Sequence, residues 1–296
     1  MTPLEAGECS DPTKDGLKKD TGIVSGRLSR WLEELYSRFN HREYVHPDPV
    51  ALLYGFEDVR EREIAALVAA SLAYGRAAQI MKSAGMVLDA LGPSPRKFVL
   101  NSSDEDLLAR LRSFRHRFTS GEDIAGLLSG IRRTLSLYGT LENCLREGLK
   151  EDGVSPARAL EFFRKELRSD IHPSASGGTL LPDPSKNSAC KRLHLFLKWM
   201  VRSDEVDPGG WTVLDPSDLL VPLDTHMFSI ARALGMTSRK GADFRVVIEV
   251  TRAFSTICPE DPLRYDFVLT RFGIRPDLDK KKLLKEGALL LQDGNR

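Results

Sequence analysis

The apolar residues of this chain recur at intervals of three and four and almost nowhere at two, and that period decides which class of fold it can adopt. Leu28, Trp31, Leu32, Leu35, Tyr36 and Phe39 mark one face of a helix over residues 26–39, which places Trp31 in the core. Residues 59–91, rich in Ala, Leu and Met and punctuated at AYGRAAQ, read as two helices joined near Gly75 or as one kinked helix. Ser103 with Asp106 resembles a capping box for a short helix reaching about Phe114. Helices are further expected over 121–137, 139–149, 156–167, 191–201, 224–234, 244–254, 263–272 and 280–291, with loops at 169–188 and 202–220 where Pro, Gly and Ser gather. No segment alternates long enough to require a sheet, so the expectation is all-α.

At 296 residues, with 41% hydrophobic and 29% charged side chains, the chain can bury one large core or two lobes sharing one. Residues 1–25 are polar and without period and read as a mobile tail, leaving residues 26–296 as a single helical domain. The N-terminal segment has acids and prolines where a signal peptide needs apolar residues, and no apolar run approaches the about eighteen residues of a membrane span, which implies a cytoplasmic protein. Cys9, Cys144, Cys190 and Cys258 are too scattered for a disulfide framework or a zinc or iron–sulfur ligand set, so neither metal nor cofactor is expected. A net charge of +1 excludes a globally basic nucleic-acid binder. Two acid-free basic runs remain: RLRSFRHRF, with Arg110, Arg112, Arg115 and Arg117, and residues 184–202, with Lys186, Lys191, Arg192, Lys198 and Arg202.

Asp224 stands where a helix has to begin. Pro222 disfavours helix at Val221, and Met227, Ile230, Ala231 and Leu234 make an apolar face ending near Gly235. His226 beside it reads as a supporting polar group. In residues 191–202, Leu193, Phe196, Leu197 and Met200 follow the helical period and leave Lys191, His194, Lys198 and Arg202 on an opposite stripe that reads as solvated. Positive helix ends and nearby cations favour the neutral, nucleophilic form of an amine. That setting singles out Lys191, in the first turn beside Lys186 and Arg192, over Lys198 in mid-helix.

PLDTHMFSIARALG is similar to the VDTH segment and basic amphipathic helix that mark the helix-hairpin-helix Gly/Pro/Asp superfamily of DNA glycosylases, the family of endonuclease III; Asp224 matches its catalytic aspartate. Pro184-Ser-Lys-Asn-Ser-Ala-Cys-Lys191 stands where that family has a hairpin of the form L-P-x-x-x-G-x-K before its catalytic lysine, with Asn187 near the place of the hairpin glycine. The longer spacing from Lys191 to Asp224 resembles the archaeal 8-oxoguanine glycosylase branch. The blocks ACKRLHLFLKWMVR and DPLRYDFVLTRFGI also make the chain resemble, over about 35–276, a widespread bacterial and archaeal family without an assigned activity. The glycosylase resemblance itself is concentrated in 181–235, and the C-terminal cysteine cluster of endonuclease III is absent.

What the resemblance implies is a two-lobed helical bundle of the helix-hairpin-helix glycosylase type, a monomer associated with the nucleoid that acts on double-stranded DNA carrying a damaged base. The implied activity is base excision coupled to AP lyase cleavage, with 8-oxoguanine the favoured lesion. Asp224 would stabilise the cationic sugar and Lys191 would form the Schiff base. By the same analogy Lys186, Asn187, Ser188, Arg192, Lys198 and Arg76 would hold DNA, while Trp211, Tyr74, Tyr265, Phe267 and His194 would line the base pocket, with core packing the alternative for each aromatic. Tyr74 and Arg76 of AYGRAAQ would enter the gap left in the duplex. The alternative is a non-catalytic helix-hairpin-helix DNA- or RNA-binding protein on the same scaffold. A metal-dependent hydrolase built on Asp224 and His226 lacks the paired ligand spacing it would need.

Overall fold

Side-chain caps set most helix starts in the computed structural model, which describes residues 22–150, 155–168 and 180–292. Helix α1 (Gly22–Phe39) starts at Gly22, ahead of the expected Gly26, and the rest of the expected tail, residues 1–21, lies outside the described residues. Asp58 accepts from the Arg60 amide to open α2 (Val59–Ser71), and Gly75, at φ +99°, separates it from α3 (Ala77–Leu91), so residues 59–91 form two helices. After α4 (Pro95–Asn101), Ser103 and Asp106 form the expected capping box of α5 (Asp104–Leu111). Ser120 and Asp123 build another at α6 (Gly121–Tyr138). Thr140 caps α7 (Leu141–Gly148), and Ser155 with Pro156 opens α8 (Pro156–Leu167). Then follow α9 (Lys191–Val201), α10 (Thr225–Ala233), α11 (Phe244–Ser255), α12 (Asp266–Ile274) and α13 (Lys280–Gln292).

The all-α expectation holds with one addition. Arg115–His116 (β1) and Thr119–Ser120 (β2) pair antiparallel in a hairpin whose strands of two residues are too short to show a period. Of the expected 169–188 loop, residues 169–179 lie outside the described residues, and Pro184–Lys186 form a 3-10 turn.

Helices α2 to α8 pack on one another, whereas α1 and α10 each pack on α12 and α13. Helix α9 lies against α2, and one continuous apolar core joins the two groups. Four buried alanines, Ala65, Ala66, Ala69 and Ala70, keep α2 slim enough to occupy the centre. A Cβ on Gly130 of α6 would come 1.8 Å from the Leu167 carbonyl oxygen, so the approach of α6 to the end of α8 requires glycine. No described helix is long and apolar enough to cross a membrane.

Glu63 is one of the acidic side chains buried in this core. The Glu63 carboxylate of α2 accepts from the Leu141 amide (2.9 Å) and the Glu142 amide (3.3 Å) at the start of α7, and from the Trp211 indole N–H (3.2 Å). Burial pushes its pKa up to about 7 from 4.5 even though these three donors favour the anion. The folded protein therefore retains a proton that the unfolded chain has released, and stability falls as pH rises from about 4.5 to about 7. A shift of this size corresponds to about 3 kcal/mol over the whole window. Chemical denaturation at a series of pH values should show that fall in the wild type and a flatter profile in Glu63→Gln. Parallel profiles would remove Glu63 from the account.

Candidate functional site

Asp224 lies at the N-terminus of α10 in extended conformation, and its Oδ1 accepts from the amides of His226 and Met227, both at 2.8 Å. The cap takes up one carboxylate oxygen. Oδ2 is left facing a cavity of about 450 Å³ bounded by the α2–α3 turn, α9, α10, α12 and residues 47–49. Lys191, in the first turn of α9, enters the same cavity; its Nζ donates to the Ala73 carbonyl (3.2 Å) and stands 3.9 Å from Asp224 Oδ2. Neither group is deeply buried: the side chains are 30% and 17% exposed for Lys191 and Asp224, so a ligand in the cavity can touch both.

The loop before α9 delivers that lysine through two left-handed residues, Asn187 at φ +51° and Cys190 at φ +42°. Asparagine tolerates this conformation better than most residues bearing a Cβ, which suits Asn187 to a place where the hairpin it resembles has glycine. Lys186 and Asn187 are exposed and Ser188 half-buried, with the Ser188 hydroxyl accepting from the Cys190 amide (3.3 Å).

A second lysine lies deeper on the cavity wall and differs in kind. Lys198 is 3% exposed; its Nζ is 2.8 Å from Asp266 Oδ2 and 3.9 Å from Asp207 Oδ2. Burial works against its charge, but Asp207 and Asp266 outweigh burial and raise its pKa. It is a fixed cation. Asp266 Oδ1, also buried, has no hydrogen-bond partner, and Asp266 lines the cavity. On another wall Arg271, 1% exposed, donates to Asp48 Oδ2 (2.6 Å). Burial depresses the pKa of His226, which also lines the cavity, and a Cβ on Gly273 would come 2.1 Å from its Nδ1.

Several expected assignments need correction. The polar stripe of α9 is not solvated: α9 is covered on both faces, so Lys198 and His194 are buried and Lys198 is not free to bind phosphate. His194 is a core residue whose pKa burial pushes down to about 4. Arg192 donates to the Ser71 carbonyl (3.2 Å) and lies 5.3 Å from the Tyr74 ring centre, so it braces the α2–α3 turn instead of offering a free cation. None of the five expected pocket residues lines the cavity. Trp211 packs edge-on against Phe163 and Phe196 and holds Glu63. Tyr265 donates to Glu33 (2.6 Å) under α1. Phe267 lies behind the wall, beneath Lys198 (5.9 Å) and Arg271 (4.4 Å). Tyr74 is tied by its hydroxyl to the His116 carbonyl (2.9 Å) and Thr119 Oγ1 (2.6 Å), which takes it out of any gap-filling role. Arg76 is exposed and lines the cavity.

The sequence reading missed Asp266, Arg271 and Asp48. A signal existed: α12, DFVLTRFGI, is apolar nearly all round, and a charge in such a helix has to be buried and paired. The described cysteines, Cys144, Cys190 and Cys258, are free and buried.

A family model described as Protein of unknown function (DUF2400) matches residues 48–275. No curated protein and no solved structure matches the chain.

Proposed function

The chain belongs to the family described as Protein of unknown function (DUF2400), whose match contains both Lys191 and Asp224, and we propose that it is a base-excision DNA glycosylase with an AP lyase step. The observation that carries this reading is the meeting of an accessible lysine and a helix-capping carboxylate, 3.9 Å apart, on the wall of one cavity. Its volume falls in the range of ligand pockets, about 300–1,000 Å³. Lys198 is held as an ammonium by two carboxylates, so Lys191 is the amine available to attack carbon.

In this reading the nucleotide leaves the stack and its base enters the cavity. As the glycosidic bond stretches, positive charge grows on the sugar, and Asp224 Oδ2, fixed by the cap, stabilises it. The Lys191 amine forms a bond to C1′ while the C1′–N bond breaks with its electron pair leaving on the base, which takes up a proton. The sugar ring opens to the imine, loss of a C2′ proton expels the 3′ phosphate, and water releases the lysine. The exposed Lys186 and Asn187 before α9 would meet the phosphate backbone. The favoured lesion is 8-oxoguanine.

Duplexes carrying 8-oxoguanine, uracil or an oxidised pyrimidine, incubated with excess protein and treated with alkali, test the activity. Release of one of these bases, 8-oxoguanine foremost, is expected. Salt-sensitive binding with no release from any of them would replace this reading with that of a non-catalytic nucleic-acid-binding protein.

A further inference from the structure

Phe118 is the most exposed of the large apolar side chains among the described residues, at 72%, and it sits at the tip of the β1–β2 hairpin. The hairpin is anchored to the turn that forms the cavity mouth. Besides the two bonds from the Tyr74 hydroxyl, the buried His116 ring bonds the Tyr74 carbonyl (3.1 Å) and Ser83 Oγ (2.9 Å) and meets the Tyr74 ring edge-on at 4.7 Å. Arg117, at φ +52°, lays its side chain over Gly75, where a Cβ would come 3.0 Å from the guanidinium. The hairpin that carries the exposed ring is thus fastened to a turn whose exposed residues, Gly75 and Arg76, line the cavity.

The hairpin's surroundings select the partner. Arg112, Arg115 and Arg117 are exposed and form no ion pair among the described residues, and the Arg117 guanidinium stands 5.6 Å from the Phe118 ring centre. A flat ring flanked by unpaired cations suits stacked bases between phosphates. An apolar protein groove would not call for the arginines.

We infer that Phe118 inserts into the base stack of double-stranded DNA at the place the extruded base vacates, with Arg115 and Arg117 on the flanking phosphates. This rests on the glycosylase reading of the cavity and adds the side chain that fills the gap. Inserted apolar side chains compensate for lost stacking and hold the duplex open. A hairpin fastened to the cavity mouth would set the distance between wedge and pocket.

The test uses the full-length protein and a duplex containing a non-cleavable tetrahydrofuran abasic site with 2-aminopurine beside it. Anisotropy reports affinity, and 2-aminopurine emission reports unstacking. Wild type is expected to prefer the abasic duplex over an intact one and to change the 2-aminopurine emission. Phe118→Ala should weaken binding to the abasic duplex about tenfold, lose most of the preference and abolish the emission change; Phe118→Trp should retain all three. If wild type shows the preference and Phe118→Ala matches it in affinity and emission, the wedge assignment is wrong while the cavity reading stands. If wild type binds neither duplex selectively, both fall.

Discussion

Replacing Asp224 by asparagine is expected to slow base release by roughly 10²- to 10³-fold while leaving the protein folded. The two effects separate because the carboxylate's two oxygens have different tasks. Oδ1 caps α10 through the amides of His226 and Met227, and an asparagine carbonyl can accept the same bonds. Oδ2 faces the cavity 3.9 Å from Lys191, and only a charged oxygen there opposes the positive charge of the sugar. Single-turnover excision should therefore fall in Asp224→Asn with a melting temperature close to wild type. Asp224→Ala would lose the cap as well, costing about 1 kcal/mol of stability. Excision by Asp224→Asn at the wild-type rate would leave Asp224 as a structural cap alone.

Lys198→Met is expected to cost roughly 3–5 kcal/mol of folding stability, because it strips the cation from two buried carboxylates. Asp266 loses its 2.8 Å partner, and its other oxygen is already without one; Asp207, fully buried, keeps only its bond to Arg202. Methionine fills the volume of the lysine stem, so the loss reports charge and not a void. A carboxylate stranded in the core gains from protonation, so the penalty should shrink as pH falls. Adding Asp266→Asn should recover part of it. Urea denaturation at neutral and acidic pH measures both expectations, and a loss below about 1 kcal/mol at neutral pH would mean that the network is solvated.

How far these features were legible in the sequence differs by residue. Caps wrote themselves plainly: Ser103 with Asp106 and Asp224 after Pro222 are local chemistry, and the structure places each where its spacing implies. Lys191 was also legible, because a first-turn position is fixed by the same local rules, and it faces Asp224 across the cavity. Burial was not legible. The Lys198 and His194 stripe looks amphipathic in isolation, and only the packing of α9 within the core shows that it has no solvent to face. Trp211, Tyr265 and Phe267, open to a core or a pocket reading from the sequence, are core residues, with partners that no local pattern discloses. The β1–β2 hairpin escaped because its strands of two residues carry no periodicity, yet it displays Phe118 and is fastened to a turn that lines the cavity.

The measurement that bears most directly on the account is borohydride reduction of the protein on a duplex carrying 8-oxoguanine or an abasic site, followed by mass-spectrometric mapping of the adduct. The account predicts one covalent adduct, on the peptide containing Lys191, absent from Lys191→Ala. No adduct on either duplex, or an adduct that persists in Lys191→Ala, would contradict it.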